Sequence, residues 1–194
     1  MFLAVGAMAL LCLVSVSHSA PLGCEHLLRP LHQLDPRPLE GRWALVAGSL
    51  SHLPYLDRFK QRDSATVNFS SNTSDTNISY SRSIRLDSTC LYHSYNISLE
   101  GSSFTYDGTD KSNLTANFVH SSCQDCLLMR MDVESGKRQH LYLFSRRREV
   151  EQEEMEEFRA QVECLNMPPP VVMDAHKELC PEAQTEEKHE GQKD

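Results

Sequence analysis

Charge is absent from the start of the sequence, where residues 1–19 contain no Asp, Glu, Lys or Arg. Residues 3–16 form an apolar run, which is followed by Ser17-His18-Ser19. The small residues Ser17 and Ser19 match the pattern of a signal-peptidase cleavage site. We therefore expect residues 1–19 to be a secretory signal peptide. No other segment approaches the roughly 18 apolar residues of a membrane-spanning helix, so we expect no integral membrane association.

Basic surface and catalytic motifs are also scarce. The sequence has 19 Lys and Arg against 27 Asp and Glu, a net charge of −8, and its one basic run, residues 146–148, is followed by acidic residues. An acidic chain without a basic stripe is a poor nucleic-acid binder. Neither G-x-S-x-G nor H-E-x-x-H occurs, and the nine histidines are scattered. We expect no nucleic-acid partner, no enzymatic activity, no cofactor and no metal.

Cysteines and sequons point to an oxidising, extracellular compartment. Cys12 would leave with the signal peptide, and an even number of six cysteines would remain, which suits three disulfides among fifteen connectivities. Five N-x-S/T sequons predict a glycosylated, secreted protein. The sequons lie at Asn68, Asn72, Asn77, Asn96 and Asn113.

The Cys123-x-x-Cys126 motif has three interpretations. A redox centre normally sits at the start of a helix in a βαβ fold, a pattern that this sequence lacks. A zinc site needs further ligands, of which only His120 is close, and a compartment that tolerates thiols. We favour a structural disulfide because secreted proteins are oxidised.

About 175 residues remain after the signal peptide, which suits one domain at residues 20–180 and a polar, disordered tail at residues 181–194. Residues 20–40 contain four prolines and are predicted to form an irregular arm. Residues 53–60 are compatible with a short helix, and residues 171–173 with a short strand. Eight strands separated by turn signals predict an antiparallel meander, with strands at residues 43–50, 65–70, 78–86, 89–99, 103–106, 114–120, 127–133 and 139–145.

One amphipathic helix is predicted over residues 149–165. Its apolar residues Val150, Met155, Phe158 and Val162 recur at helical spacing. Glutamates in its first turns favour the positive end of the helix dipole, and the prolines at 168–170 stop it.

The motif Gly41-Arg42-Trp43 opens the first predicted strand and contains the only tryptophan of the chain. A glycine allows a tight turn, and a tryptophan two residues later can plug one end of a closed β-barrel. With an arginine after the eighth strand and one C-terminal helix, the chain resembles the lipocalin family. The resemblance implies an all-β fold: an eight-stranded antiparallel up-and-down barrel at residues 41–146 with the helix packed outside. It also implies a cation–π contact between Arg146 and Trp43, with Arg147 as the alternative.

Within the family, the chain is most similar to the α1-acid glycoprotein (orosomucoid) branch. That branch includes fish plasma proteins that bind tributyltin or the toxins saxitoxin and tetrodotoxin, and apolipoprotein M is a more distant match. The similarity is carried by residues 41–47, 90–92 with the sequon at Asn96, 123–129, 157–165 and 171–180. It implies the disulfides Cys24–Cys164 and Cys90–Cys180, which leaves Cys123–Cys126 as the third by elimination. The third pair departs from mammalian orosomucoids and matches the toxin-binding branch better.

The resemblance implies a monomeric carrier of small hydrophobic or amphiphilic molecules in blood plasma: lipids, drugs, xenobiotics or toxins, with an acute-phase or immune-modulating role. One alternative is an apolipoprotein M-like lipid carrier on lipoproteins, which a retained signal peptide would support. The other is a lipocalin-type prostaglandin synthase, which requires a free cysteine inside the barrel.

Sequons predict which side chains face the barrel interior, because a glycosylated asparagine faces solvent and its strand neighbours then face inward. By this alternation, the side chain of Cys90 is expected to face outward, and the side chains of Leu91 and His93 are expected to face inward. Leu91, Ile84 and Ala116 are expected to be packing residues. Aromatic and polar inward residues are expected to line a ligand site, since buried tyrosine or arginine tips need polar partners. The predicted ligand-binding residues are Phe69, Tyr80, Arg82, Tyr95, Ile97, Phe118, Met129, Tyr142 and Phe144.

Overall fold

The computed structural model describes residues 23–32, 36–71, 77–106 and 114–182. The predicted signal peptide and the tail from residue 183 lie outside these ranges. Four helices are present: α1 (Cys24–Leu27), α2 (Pro36–Leu39), α3 (Leu53–Lys60) and α4 (Gln152–Cys164). The strands are β1 (Gly41–Leu50), β2 (Ser64–Ser71), β3 (Asn77–Leu86), β4 (Thr89–Glu100), β5 (Ser103–Tyr106), β6 (Leu114–Val119), β7 (Cys126–Val133), β8 (Arg138–Ser145) and β9 (Val171–Val172).

Strands β1–β8 form a closed antiparallel barrel, so the predicted fold class is confirmed. Each strand pairs with the next along the chain, and β1 closes the barrel by pairing with both β2 and β8. Trp43 lies opposite Val67 of β2, and Leu45 lies opposite Phe144 of β8. The short β9 pairs with β1 at Ala47 and Gly48, beyond the residues of β1 that pair with β2.

The arm before the barrel is more regular than the sequence predicted, because its prolines sit where helices tolerate them. Pro36 opens α2, a position where its missing N–H costs nothing. The turn of helix α1 buries Leu27, whose carbonyl accepts a hydrogen bond from the buried amide of Gln161 on α4 (3.0 Å). Within the described ranges, no helix combines the length and apolarity needed to cross a bilayer.

Helix α4 packs on the outside of the barrel over β7, β8 and β1. Met155, Phe158 and Val162 contact Leu141 and Leu143, which form an apolar cluster separate from the barrel interior. The helix begins three residues later than predicted, because Glu151 and Glu154 form a capping box at its start. The stripe of apolar residues therefore predicted the buried face, while the cap determined the boundary.

The tryptophan end of the barrel is sealed by Arg146, whose guanidinium carbon lies 4.0 Å from the Trp43 ring centroid. The Trp43 indole N–H donates to the carbonyl of Leu39 (2.8 Å). Gly41 has φ +93°, and a Cβ there would lie 2.9 Å from Arg146 Nη1. The glycine is therefore required both by its backbone conformation and by the close approach of the arginine.

The alternative role for Arg147 is wrong. Its guanidinium instead forms ion pairs with Asp125 (2.7 Å) and Glu154 (2.8 Å). These pairs link the loop before β7 to the start of α4. Arg147 thus positions the helix and takes no part in closing the barrel.

Three disulfides are present, with the pairings Cys24–Cys164, Cys90–Cys180 and Cys123–Cys126. The first ties the arm to the end of α4. The second ties β4 to the segment after β9. The third closes a loop of two residues before β7. Each of the first two spans a long stretch of chain, 140 and 90 residues, and such loops give the larger entropic stabilisation.

The outer face of β2, β3 and β4 is polar. Asn68 and Asn96 are exposed on it, as the sequon parity predicted. Asn72 and Asn113, and the side chain of Asn77, lie outside the described residues. Their outward orientation stays a prediction.

The inward prediction fails for the first half of β4, where Leu91 is 41 % exposed and His93 is also exposed. The cause is the length of the neighbouring strand. β5 pairs only with residues 97–100 of β4, so within the described residues no strand covers Leu91 and His93 on that side. Alternation fixed the direction of these side chains but not their burial.

We predict that replacing Arg146 by alanine lowers the free energy of unfolding by about 2 kcal/mol, because the substitution removes the cation–π contact and hydrogen bonds to the carbonyls of Pro38 and Glu40. Chemical denaturation measures the change. Arg159→Ala, on the exposed side of α4, is the control and should change the value by less than about 0.5 kcal/mol. Equal effects of the two substitutions would contradict the sealing role.

Candidate functional site: a cationic cavity in the barrel

A cavity of about 380 Å³ opens into the barrel at the end opposite Trp43. The walls nearer to Trp43 are apolar, because at that depth the inward-facing residues of β1, β2, β7 and β8 are aliphatic or aromatic. Leu45, Val67, Met129 and Phe144 contribute these walls. The volume lies within the range of small-molecule sites.

Helix α3 forms one side of the cavity mouth. Phe59 is fully buried, its ring centroid lying 5.8 Å from that of Tyr142. A Cβ on Gly48 would lie 2.5 Å from Phe59 Cζ, so only glycine leaves room for this packing. The docked helix brings Tyr55 and Arg58 to the cavity.

Four arginines line the cavity: Arg58, Arg62, Arg82 and Arg138. Among the described residues, no aspartate or glutamate lines it. Arg138 has an ion pair with Glu134 (2.6 Å); across the described chain, the other three have none. The cavity therefore carries uncompensated positive charge.

Arg62 and Arg82 are the inner cations of this group. Burial lowers the pKa of Arg62, and the charge of Arg82 also acts to lower it. Arg82 donates one hydrogen bond to the Tyr95 hydroxyl (3.3 Å), and its buried Nε has no partner among the described residues. A buried donor without a partner costs free energy, which an acceptor on a ligand would recover.

Three tyrosines surround the inner cations. Burial raises the pKa of Tyr106 to about 12 and raises the pKa values of Tyr80 and Tyr142. All three phenols are therefore protonated at neutral pH. They present neutral hydroxyls and do not compensate the arginine charge.

His140 lies at the mouth between Arg138 and Tyr142. Its Nδ1 is 3.1 Å from the Tyr142 hydroxyl, and in the described part of the chain its buried Nε2 has no hydrogen-bond partner. Burial, with Arg138 and Arg62 nearby, lowers its pKa to about 4. The imidazole is neutral at pH 7, and its close contact is a tyrosine rather than a serine or cysteine nucleophile.

Five of the nine predicted ligand-binding residues line the cavity: Tyr80, Arg82, Met129, Tyr142 and Phe144. The other four do not. Phe69, Ile97 and Phe118 are at most 1 % exposed and fill the sealed half of the barrel as solid core. Tyr95 packs behind Tyr80, at 6.1 Å between ring centroids. The alternation of side chains along each strand predicted which of these residues face inward. It does not indicate how far along the barrel axis each residue lies.

Sequence reasoning missed the contributions of Tyr55, Arg58, Arg62, Arg138 and His140. Arg138 and His140 lie on β8, with the inward parity of Tyr142 and Phe144, so the alternation could have found them. Tyr55, Arg58 and Arg62 come from α3 and the segment after it. The sequence predicted that helix but gave no sign of its docking on the barrel.

Cys123, Asp125 and Cys126 place potential metal-ligand atoms within 4.8 Å of one another. Both sulfurs are joined in a disulfide, and the Asp125 carboxylate pairs with Arg147. In this arrangement the three residues belong to a loop that is held by a disulfide and an ion pair.

The sequence matches the ApoM domain family over residues 32–184, which covers the second part of the arm, the barrel, the outer helix and the segment that ends at Cys180. The chain belongs to the ApoM family. No curated protein sequence matches it significantly. The orosomucoid-type resemblance is not tested by these comparisons and stays a prediction.

This ApoM-family chain also matches solved lipocalin structures. One is the siderocalin Ex-FABP, described as functioning through dual ligand specificities. The match has a TM-score of 0.58 at 15 % sequence identity and covers 70 % of this chain and 89 % of the other. At that identity the likeness establishes the lipocalin fold alone.

We predict that His140 makes stability fall in acid. Its folded pKa of about 4 lies below the ordinary histidine value of 6.5, so the unfolded state binds more protons between these two pH values. The free energy of unfolding should therefore decrease as the pH falls from 6.5 to 4, by up to about 3 kcal/mol from this group. His140→Gln should flatten this dependence in denaturant titrations at successive pH values.

The control for this prediction is His176→Gln, at an exposed position after β9. Carboxylates titrate in the same range, so the informative quantity is the difference between variant and wild type. If His140→Gln and wild type lose stability in parallel, the buried neutral state of His140 is refuted.

Proposed function

We propose that this chain is a secreted, glycosylated carrier that binds a small amphiphile with an anionic group, without chemical conversion. The observation that carries the proposal is the cavity itself, with apolar walls towards Trp43 and with Arg58, Arg62 and Arg82, which have no acidic partner among the described residues. A hydrophobic body would bury against Leu45, Val67 and Phe144. An anionic group would accept hydrogen bonds from Arg62 and Arg82.

Cationic ligands are disfavoured by the same geometry. Among the described lining residues no carboxylate faces the cavity, so a tributyltin cation or a guanidinium toxin would lie near arginines without a counter-charge. Electrostatic complementarity therefore favours lipids, drugs or xenobiotics that carry an acidic group. Secretion into plasma, an orosomucoid-type role and an acute-phase or immune function remain parts of the proposal.

Membership of the ApoM family favours a second candidate, a lipid carrier associated with lipoproteins. Density fractionation of plasma and N-terminal sequencing of the protein would decide between them. Recovery in the lipoprotein fractions with residues 1–19 retained would support this candidate. A processed N terminus in the lipoprotein-free fraction supports the free carrier.

Enzymatic activity of the prostaglandin synthase type has no support in the cavity. That chemistry requires a free thiol inside the barrel. Each cysteine in the described part of the chain is disulfide-bonded, and Cys90 faces outward to Cys180. Binding without catalysis therefore accounts best for the site.

Calorimetry with three ligands of equal chain length tests the proposed charge preference: decanoate, decanol and decyltrimethylammonium. We expect decanoate to bind at least tenfold more tightly than the cation, a difference of about 1.4 kcal/mol. Arg82→Gln should weaken decanoate binding about tenfold and change decanol binding less than about threefold.

The matched control is Arg130→Gln, because Arg130 faces outward on β7 and pairs with Asp132. It should leave all three affinities unchanged. If no ligand binds more tightly than about 1 mM, the carrier proposal fails. If the cation binds as well as decanoate, the anionic preference fails.

A further inference from the structure

A second, polar groove of about 190 Å³ lies on the outer face of the barrel. Its floor comes from the outward-facing residues of three paired strands. One row across the sheet is Asn68, Ser81 and Ser94, and the next is Thr66, Ser83 and Tyr92. The small hydroxyl side chains leave this part of the surface flat.

The segment that follows β9 forms one wall of the groove. Cys180 is bonded to Cys90, and the Tyr92 hydroxyl donates to the carbonyl of Pro181 (3.0 Å). Arg42 donates to the carbonyl of Cys180 and lies 3.9 Å from a carboxylate oxygen of Glu182. The groove is therefore bounded by a charged and an aromatic side chain above a floor of hydroxyls.

Asn68 lines this groove, is exposed and is the first residue of the sequon Asn68-Phe69-Ser70. We propose that the groove holds the first N-acetylglucosamine of a glycan attached to Asn68, and that this sugar fastens the segment at residues 180–182 to the barrel. The inference rests on the proposed secretion of the chain. It concerns Asn68 on the outer face, although Thr66, Arg82 and Ser83 line both the groove and the cavity.

The chemistry of the groove suits a sugar ring. Its volume equals that of about six liquid waters, which fits one monosaccharide and excludes a branched oligosaccharide. Hydroxyls of Ser81 and Ser94 and the guanidinium of Arg42 offer hydrogen bonds to sugar oxygens. The half-exposed ring of Tyr92, 44 % exposed, offers a flat apolar surface with a polar tip, as binding surfaces often do.

Asn96 provides an internal comparison. It is exposed on the same face, opposite Ser79 and one row beyond Asn68, but it does not line the groove. A glycan on Asn96 should therefore project into solvent. Both asparagines lie on the polar outer face of the barrel, but only Asn68 lines the groove.

The experiment uses the full chain, secreted from cells that make oligomannose glycans. Ser70→Ala removes the sequon at Asn68 and leaves the residues of the groove unchanged, and Ser98→Ala does the same for Asn96. A third sample is the wild-type protein trimmed by an endoglycosidase to one N-acetylglucosamine per site. Site occupancy is measured by mass spectrometry, stability by thermal unfolding, and local order by hydrogen exchange at residues 92–94 and 180–182.

We expect Ser70→Ala to lower the melting temperature by about 2–4 °C and to accelerate exchange at both segments. Ser98→Ala should cause neither change. The trimmed protein should match the untrimmed protein, because the first sugar alone occupies the groove.

Three outcomes would overturn the inference: an unoccupied Asn68, equal effects of the two sequon variants, or loss of protection on trimming. Occupancy of none of the five sequons would contradict the proposed secretion and glycosylation as well. Decanoate affinity is measured on the same samples and tests the carrier proposal separately, because neither sequon substitution changes a residue that lines the cavity. Failure of the groove proposal therefore leaves the carrier proposal standing.

Discussion

The structure depends on the pairing of β1 with strands on both sides. Ala44 of β1 pairs with Thr66 of β2 on one side and with Ser145 of β8 on the other, so barrel closure joins distant parts of the chain. Arg146 follows the last barrel strand and lies across Trp43 of the first. The same junction thus joins the first and last strands of the barrel and covers Trp43 at the sealed end.

Much of the fold could be predicted from the sequence because its determinants are local. Alternating apolar residues and turn signals located all eight strands to within two residues, and the spacing of Met155, Phe158 and Val162 gave the buried face of α4. The boundary of that helix was missed because a capping box overrode the apolar pattern. The exposure of Leu91 was missed because it depends on where β5 ends.

The candidate site was less predictable because its position along the barrel axis is a tertiary property. Parity gave the same inward direction to Phe118 and Phe144, yet only Phe144 reaches the cavity. The charge of the site depends on Arg58 and Arg62, which a docked helix and the segment after it bring to the cavity from outside the barrel. A sequence pattern can show that such a helix is amphipathic, but it does not show which surface the helix covers.

Helix α3 docks on the barrel through Phe59 and belongs to no strand, so its residues can change without altering barrel closure. The strands set the diameter of the barrel, and changing them would endanger closure. Phe59 occupies the space above Gly48 without belonging to any strand. The residues that α3 and the segment after it bring to the cavity, Tyr55, Arg58 and Arg62, can therefore change in size while the hydrogen bonds of the barrel stay intact. The strands must remain constant for folding, whereas α3 and the segment after it can change to suit a different ligand.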